Sequence, residues 1–111
     1  MKGTRLATVV AMAGAAIALA APAQADDYDY TFKTTVNQFG VYGPQDQLAW
    51  LGKISCDRIG RGVDGDAYKS ANFIQHNLPR GTSEGQAFQF LGASIDHYCP
   101  NQVGFIQGAG R

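Results

Sequence analysis

The chain has 111 residues, of which 45% are hydrophobic and 16% charged, and its formal net charge is zero. This length allows at most one small domain. Without residues 1–25, seven basic and nine acidic side chains remain, which gives a net charge of −2. A mildly acidic chain lacks the basic surface that nucleic acids and anionic lipids require, which argues against both as partners.

Residues 1–25 have the pattern of a secretory signal peptide: a short basic start, an apolar run over residues 6–21, and the small-x-small sequence Ala23-Gln24-Ala25. A membrane anchor is the alternative, but the sixteen residues of this run would form about 24 Å of helix. That length is short of the roughly 30 Å hydrocarbon layer of a bilayer. We therefore predict cleavage between Ala25 and Asp26, a secreted or envelope-associated protein, and no membrane span after cleavage.

Cys56 and Cys99 are the only cysteines of the chain. In an oxidising compartment they allow one intramolecular disulfide, which would close a loop of 43 positions. The chain-entropy account gives such a bridge roughly 4 kcal/mol of stabilisation. The alternatives are a free thiol, an intermolecular link and a metal site. Metal is disfavoured because the chain has neither a CxxC sequence nor a nearby histidine pair.

Apolar residues recur at helical spacing in four stretches of the chain, which predicts four helices and no sheet. In the first stretch, the apolar stripe over residues 32–39 predicts a helix over residues 29–39 with Asp29 as its N-cap. Gly40 is expected to adopt the left-handed conformation that ends a helix, and Val41 to pack back on the last turn.

The second predicted helix begins after Pro44, which suits a first helical turn, and ends at Gly60-Arg61-Gly62. Trp50 and Ile54 are expected to widen its buried face. The residues predicted for the central stripe of that face are Leu48, Leu51, Gly52, Cys56 and Ile59.

The third predicted helix begins with Asp64 as its N-cap and ends at Asn77-Leu78-Pro79. Val63 is expected to pack against Tyr68 as a hydrophobic staple. The residues predicted for its buried edge are Ala67, Ala71, Ile74 and Leu78.

The fourth predicted helix begins at Ser83, which stands at capping-box spacing from Gln86, although Thr82 is an alternative cap. It is expected to end at Cys99-Pro100, and residues 101–111 to form a loosely docked tail. The residues predicted for its buried face are Phe88, Leu91, Gly92, Ile95, Tyr98 and Cys99.

These elements predict an all-α bundle of four short helices over residues 26–100, stabilised by one disulfide. Short connections make sequential helices antiparallel neighbours, so the second and fourth helices should run in the same direction. Cys56 and Cys99 then lie at the same end of the bundle, where their Cα atoms can approach to the roughly 5.5 Å that a disulfide requires.

Several short motifs follow one another in an order that is fairly specific. They are Asp29-x-x-Phe32, Phe39-Gly40-Val41, Leu51-Gly52-x-x-x-Cys56-Asp57, Gly62 and Tyr98-Cys99-Pro100. With these motifs, residues 29–100 resemble the mycobacterial and related actinobacterial family of small exported proteins known as domain of unknown function 732. The resemblance implies a secreted, all-helical domain with paired cysteines, and it implies no reaction. In size and helix content the chain is also similar to small helical exported haem carriers of the same bacteria, but fold alone does not establish function.

Two motifs in the centre of the chain suggest ligands but have simpler explanations. Residues 60–65 match GxGxxG, yet a dinucleotide site needs a preceding strand and a parallel sheet, so we interpret the glycines as a helix end and the next helix start. Asp64 and Asp66 invite a calcium site, but position 75, where an EF-hand loop would need glutamate, is Gln75. We expect both acids to stabilise a helix N-terminus.

His76 and His97 each stand about 200° of helical rotation beyond an apolar stripe residue, so both are expected at the surface. If the protein carried haem, His97 and Tyr98 would be the first ligand candidates. Ser94 and His97 could form a hydrolytic pair, but one exposed helix surface builds neither a cleft nor an oxyanion hole.

The residues therefore predict no catalytic set, no metal site and no cofactor, and we do not expect an enzyme. The leading hypothesis is a binding or interaction module outside the cytoplasm, with an unknown protein or small molecule as partner. The alternative is a carrier of a small apolar ligand such as haem or lipid, because twelve aromatic residues are many for a domain this small.

Overall fold

The computed structural model describes residues 26–109, so the predicted signal peptide and its cleavage residue Ala25 lie outside the described part. All regular elements of the described residues are helical. Helix α1 covers residues 26–37, and it is followed by α2 (Gln45–Gly60), α3 (Ala67–Asn77), α4 (Glu84–Tyr98), a 3-10 turn (Pro100–Gln102) and α5 (Val103–Ala109). The predicted all-α class is confirmed.

The described part contains one helix more than the four predicted. Helices α2, α3 and α4 pack against one another, and α5 packs against α3 and α4. Residues 100–109 are therefore folded onto the domain rather than loosely docked. The 3-10 turn begins at Pro100, and Ile106 of α5 lies against Gly92, where a Cβ atom would lie 3.6 Å from its Cδ1.

Helix α1 begins and ends earlier than predicted, at residues 26 and 37 rather than 29 and 39, although the predicted glycine stop is confirmed. Gly40 has φ 86°, and the N–H of Val41 donates to the carbonyl of Val36 at 3.2 Å. The prediction that Asp29 caps this helix is wrong, because residues 26–28 are already helical. Asp29 is instead a buried residue in the first turns, 9% exposed, and its carboxylate faces α2 and α4.

Helix α2 begins directly after Pro44 and ends at Gly60, as predicted. Trp50 does not widen the buried face, since it is 51% exposed. Successive residues of an α-helix are 100° apart around its axis, so Gly52 and Trp50 lie on opposite sides of Leu51. The buried face includes the Gly52 side and leaves the Trp50 side exposed. Gly52 allows α1 and α4 to approach α2 closely.

Helix α3 is capped by Asp66, which accepts a hydrogen bond from the N–H of Lys69 at 2.9 Å, so the prediction of Asp64 as N-cap is wrong. With Asp66 as the N-cap, the two residues of a hydrophobic staple would be Gly65 and Ser70, and neither is hydrophobic. The predicted staple of Val63 and Tyr68 is therefore lost. The predicted buried edge of α3 is confirmed: Ala67, Ala71, Ile74 and Leu78 are 1%, 2%, 0% and 8% exposed.

Helix α4 begins with the predicted capping box. Ser83 Oγ accepts from the N–H of Gln86, and the side chain of Gln86 accepts from the N–H of Ser83. Its buried face is wider than the predicted stripe, because α4 packs against α2, α3 and α5. Phe90, which sequence spacing left outside the stripe, is fully buried and meets Phe32 of α1 edge to face at 5.3 Å.

Candidate functional site

Cys56 and Cys99 form the predicted intramolecular disulfide, with Cα atoms 6.0 Å apart. Cys56 lies in the last turns of α2, and Cys99 is the C-cap of α4. The bond therefore joins the C-terminal ends of two packed helices. Both thiols are consumed within the chain, so neither serves as a nucleophile or as a metal ligand.

His97 packs against α1 rather than pointing to solvent, so its predicted exposure is wrong. Its ring stacks on Tyr28 with centroids 3.9 Å apart, and Nε2 lies 2.7 Å from the carbonyl oxygen of Tyr28, to which it donates. The hydroxyl of Tyr28 in turn donates to the carbonyl of His97. This reciprocal pair attaches α1 to the end of α4 and engages His97, the histidine that the sequence offers as a candidate haem ligand.

Tyr98 is likewise engaged inside the fold. Its hydroxyl donates to Asp29 Oδ1 at 2.7 Å, and Lys53 Nζ lies 3.1 Å from Asp29 Oδ2. Burial, together with the hydrogen bond and the charge of the Asp29 carboxylate, raises the pKa of Tyr98 above its ordinary value. The phenol remains a protonated donor, which does not fit the role of a haem-iron ligand.

Ser94 and His97 do not form a catalytic pair. Ser94 is fully buried, and its hydroxyl donates to the carbonyl of Phe90 at 2.8 Å within α4. His97 is directed to Tyr28. A nucleophile needs a base within hydrogen-bond reach, and this arrangement provides none for Ser94.

The GxGxxG segment is a structural loop that a partly buried ion pair stabilises. Arg58 donates to both carboxylate oxygens of Asp64, at 2.8 and 3.1 Å, and Ser70 Oγ donates to Asp64 at 2.8 Å. The guanidinium also lies over the Phe73 ring, 3.9 Å from its centroid. Burial acts to raise the pKa of Asp64, but the hydrogen bonds from Arg58 and Ser70 outweigh it and hold the pKa below its usual value.

Asp64 and Asp66 serve different structural purposes and do not form a calcium site, since one belongs to this ion pair and the other is the cap of α3. Over residues 26–109, no cluster of three or more His, Cys, Asp or Glu side chains has an arrangement that could hold a metal ion. Within the same range, no helix is both long and apolar enough to cross a membrane.

A groove of about 380 Å³ lies between the loop at residues 42–44, helix α2 and the C-terminal end of α3. Its floor is apolar and well packed: Leu48, Leu51 and Leu78 are 3%, 1% and 8% exposed. Tyr42, which is 64% exposed, stands at its rim.

His76 also stands at this rim and is exposed as predicted. Its Nδ1 donates to the carbonyl of Asn72 at 2.7 Å, which leaves Nε2 free to face the groove or solvent. Gln47 and Asn77 add amide groups to the rim.

A second depression of about 310 Å³ lies on the far side of Tyr42 and Pro79, which line both. It includes Arg80 and lies against Gln86 of α4. Gln86 Nε2 donates to the carbonyl of Phe39 at 3.0 Å, and this bond holds the end of α1 beside the α3–α4 loop. We refer to the two depressions together as the Tyr42 groove.

No local sequence pattern predicts the Tyr42 groove. Gly43-Pro44 and Leu78-Pro79 predict a helix start and a helix end, and the structure confirms both. That these two segments meet follows from the packing of α2 against α3, which the spacing of residues along one helix does not reveal.

Comparisons with known proteins support the family that the order of the sequence motifs indicates. Two uncharacterized proteins of Mycobacterium tuberculosis, from strains CDC 1551 and H37Rv, are each 71% identical to the chain over 110 residues, covering 99% of this chain and 98% of the relative. No solved structure matches the chain. The model of a family described as a protein of unknown function, DUF732, matches residues 25–101. The chain therefore belongs to the DUF732 family, as its motifs predict.

Proposed function

We propose that the protein is a binding module that acts outside the cytoplasm and that the Tyr42 groove is its binding site. The extracytoplasmic location is supported by the leader pattern of residues 1–25 and by the disulfide, which persists in oxidising compartments. A disulfide also suits a domain of this size, whose hydrophobic core alone gives a narrow margin of stability.

The observation that carries the binding role is the composition of the groove. Leu48, Leu51 and Leu78 close the bottom of the groove, and the ring of Tyr42, which is 64% exposed, stands at its rim. An exposed aromatic side chain beside an apolar floor can close over a ligand at little conformational cost, because tyrosine has only two side-chain torsions. The volume of about 380 Å³ falls within the range of small-ligand pockets.

The test is capture of a ligand by immobilised residues 26–111 from the culture medium and cell-wall extract of the producing organism, analysed by mass spectrometry. Tyr42→Ala removes the rim of the groove. Tyr30→Ala is the matched control, since Tyr30 is 57% exposed on α1 and does not line the groove. We expect a ligand that is retained by the wild type and the control but lost by Tyr42→Ala. Equal retention by all three proteins would refute the assignment of the groove.

The carrier hypothesis, with haem or a lipid as the ligand, is the second candidate. The haem form has less support, because His97 is bound to Tyr28 and Tyr98 to Asp29. Titration of the protein with haem and with a fluorescent fatty acid distinguishes the haem form from the lipid form of this hypothesis. We expect a response to the fatty acid and no shift of the haem absorption band, and a haem shift at micromolar concentration would reverse this preference.

A further inference from the structure

We propose that a depression between α2, α3 and the loop that joins them binds a small, soluble phosphate monoester, with Arg58, Lys69 and Asn72 as donors to the phosphate oxygens. The depression has a volume of about 400 Å³. It shares only His76 with the residues that line the Tyr42 groove, so it is a second site that goes beyond the proposed function. We refer to it as the Arg58 depression.

Arg58 is held in one orientation before any ligand binds. Its Nε and Nη2 donate to the two carboxylate oxygens of Asp64, and its guanidinium lies over the Phe73 ring, 3.9 Å from the centroid. Asp64 is in turn fixed by the hydroxyl of Ser70, and its side chain is only 2% exposed. The Arg58 side chain is 26% exposed. Because arginine has five N–H donors, Nη1 and the second hydrogen of Nη2 can bind an anion while the ion pair stays intact.

Lys69 brings a second cation to the same loop. Its Nζ lies 3.8 Å from the position of a Cβ atom at Gly65, the residue that follows Asp64. Burial acts to raise the pKa of Asp64, but the charges of Arg58 and Lys69 both act to lower it, as expected of two cations close to one carboxylate. Lys69 forms no ion pair with a residue of the described range 26–109. Its ammonium group can therefore bind a ligand without breaking an existing pair.

Helix α3 presents a row of side chains to the depression. The residues of this row stand at i, i+3, i+4 and i+7 and therefore share one face of the helix: Lys69, Asn72, Phe73 and His76. Asn72 is exposed and lies one turn from Lys69, so its carboxamide can donate to an anion that the ammonium group binds. The two cations and this amide come from two different helices and surround one space.

The charges and donors of the depression indicate the class of anion. Asp64 is the only acidic residue that lines it, and Arg58 and Ser70 already use both of its oxygens. The excess charge is therefore positive, although the chain as a whole is slightly acidic. A carboxylate has two oxygens, which one guanidinium edge satisfies, whereas a phosphate monoester has three terminal oxygens and up to two negative charges. The larger anion matches a guanidinium, an ammonium group and an amide together.

The depression also offers apolar contact for the group that the phosphate esterifies. Val63 is 47% exposed and lines it together with the ring of Phe73, which is partly buried beneath Arg58. A phosphate that carries a short carbon chain therefore gains contacts that inorganic phosphate lacks.

The experiment compares anions that differ in the head group or in the carbon chain. Butyl phosphate, butyrate and inorganic phosphate are titrated into residues 26–111 in a phosphate-free buffer of constant ionic strength, and binding is followed by amide chemical shifts. Lys69→Gln removes the exposed cation. Lys33→Gln on α1 is the matched control, because it is the same change outside the depression. The double variant Arg58→Gln/Asp64→Asn removes the guanidinium without changing the net charge.

We expect butyl phosphate to bind about tenfold more tightly than butyrate, because it accepts at least one more charge-assisted hydrogen bond. Lys69→Gln should weaken the binding of butyl phosphate about fivefold to tenfold, and Lys33→Gln should leave it unchanged. The double variant should weaken it at least as much as Lys69→Gln, with circular dichroism to verify its fold; if it does not fold, the two lysine variants decide. The shifts should centre on residues 58, 64–65 and 69–72.

Equal affinities for butyl phosphate and butyrate, or equal losses in Lys69→Gln and Lys33→Gln, would overturn the inference. Inorganic phosphate that binds as tightly as butyl phosphate would overturn the choice of an ester. Shifts centred on another face, or no binding of butyl phosphate at millimolar concentration, would overturn the site. The capture experiment with Tyr42→Ala decides the proposed function separately, because Tyr42 does not line the Arg58 depression.

Discussion

Removal of the disulfide is the perturbation whose magnitude follows most directly from the structure. The Cys56–Cys99 bond closes a loop of 43 positions, and the chain-entropy account gives it about 4 kcal/mol of stabilisation. Small domains have a total free energy of unfolding of only about 5 to 15 kcal/mol. Replacing both cysteines by serine is therefore expected to lower the melting temperature by about 15 to 30 °C.

The assay is thermal unfolding of residues 26–111, followed by far-ultraviolet circular dichroism with and without a phosphine reductant. Serine is close to cysteine in size, so the double variant changes the packing of α2 and α4 little. Reduced wild type and the double variant should therefore melt together, well below the oxidised protein, and the reductant should leave the variant unchanged. A double variant that melts within a few degrees of the oxidised wild type would refute the reasoning.

Two further predictions concern single residues. Because the folded pKa of Asp64 is lowered, its ion pair stabilises the protein above the ordinary pKa of aspartate, near 4, and this contribution is lost as the pH falls through the folded value. Urea unfolding should show a loss of stability on acidification that is smaller in Asp64→Asn, and parallel pH curves would contradict this. A Cβ at Gly52 would lie 2.9 Å from ring atoms of both Phe32 and Tyr98, so Gly52→Ala should destabilise the protein by about 1 to 2 kcal/mol. Gly85→Ala on the open side of α4 should instead stabilise it by about 0.5 to 1 kcal/mol, and similar melting shifts in the two variants would show that the close approach is unimportant.

Features that depend on neighbours in the sequence were predictable. The capping box at Ser83, the left-handed Gly40 and the buried edge of α3 each involve residues within a few positions of one another. The cysteine pairing was also accessible, because two cysteines in an oxidising compartment leave one intramolecular choice.

Features that depend on long-range packing were not predictable. Asp29 and Asp64 have short carboxylates at positions where a helix cap is reasonable, yet each is buried beside a cation from another element. His97 lies at the edge of its own helix and is covered by α1, whose Tyr28 is 69 positions away. The Tyr42 groove arises in the same way, from segments that only the packed helices bring together.

The account depends on an oxidised domain that begins at Asp26 outside the cytoplasm, and intact-mass spectrometry of the protein recovered from culture medium and envelope tests this most directly. We expect the mass of residues 26–111 less two hydrogen atoms, with no uptake of an alkylating reagent until a reductant is added. A mass that includes residues 1–25, or two thiols that are alkylated without reduction, would contradict the account.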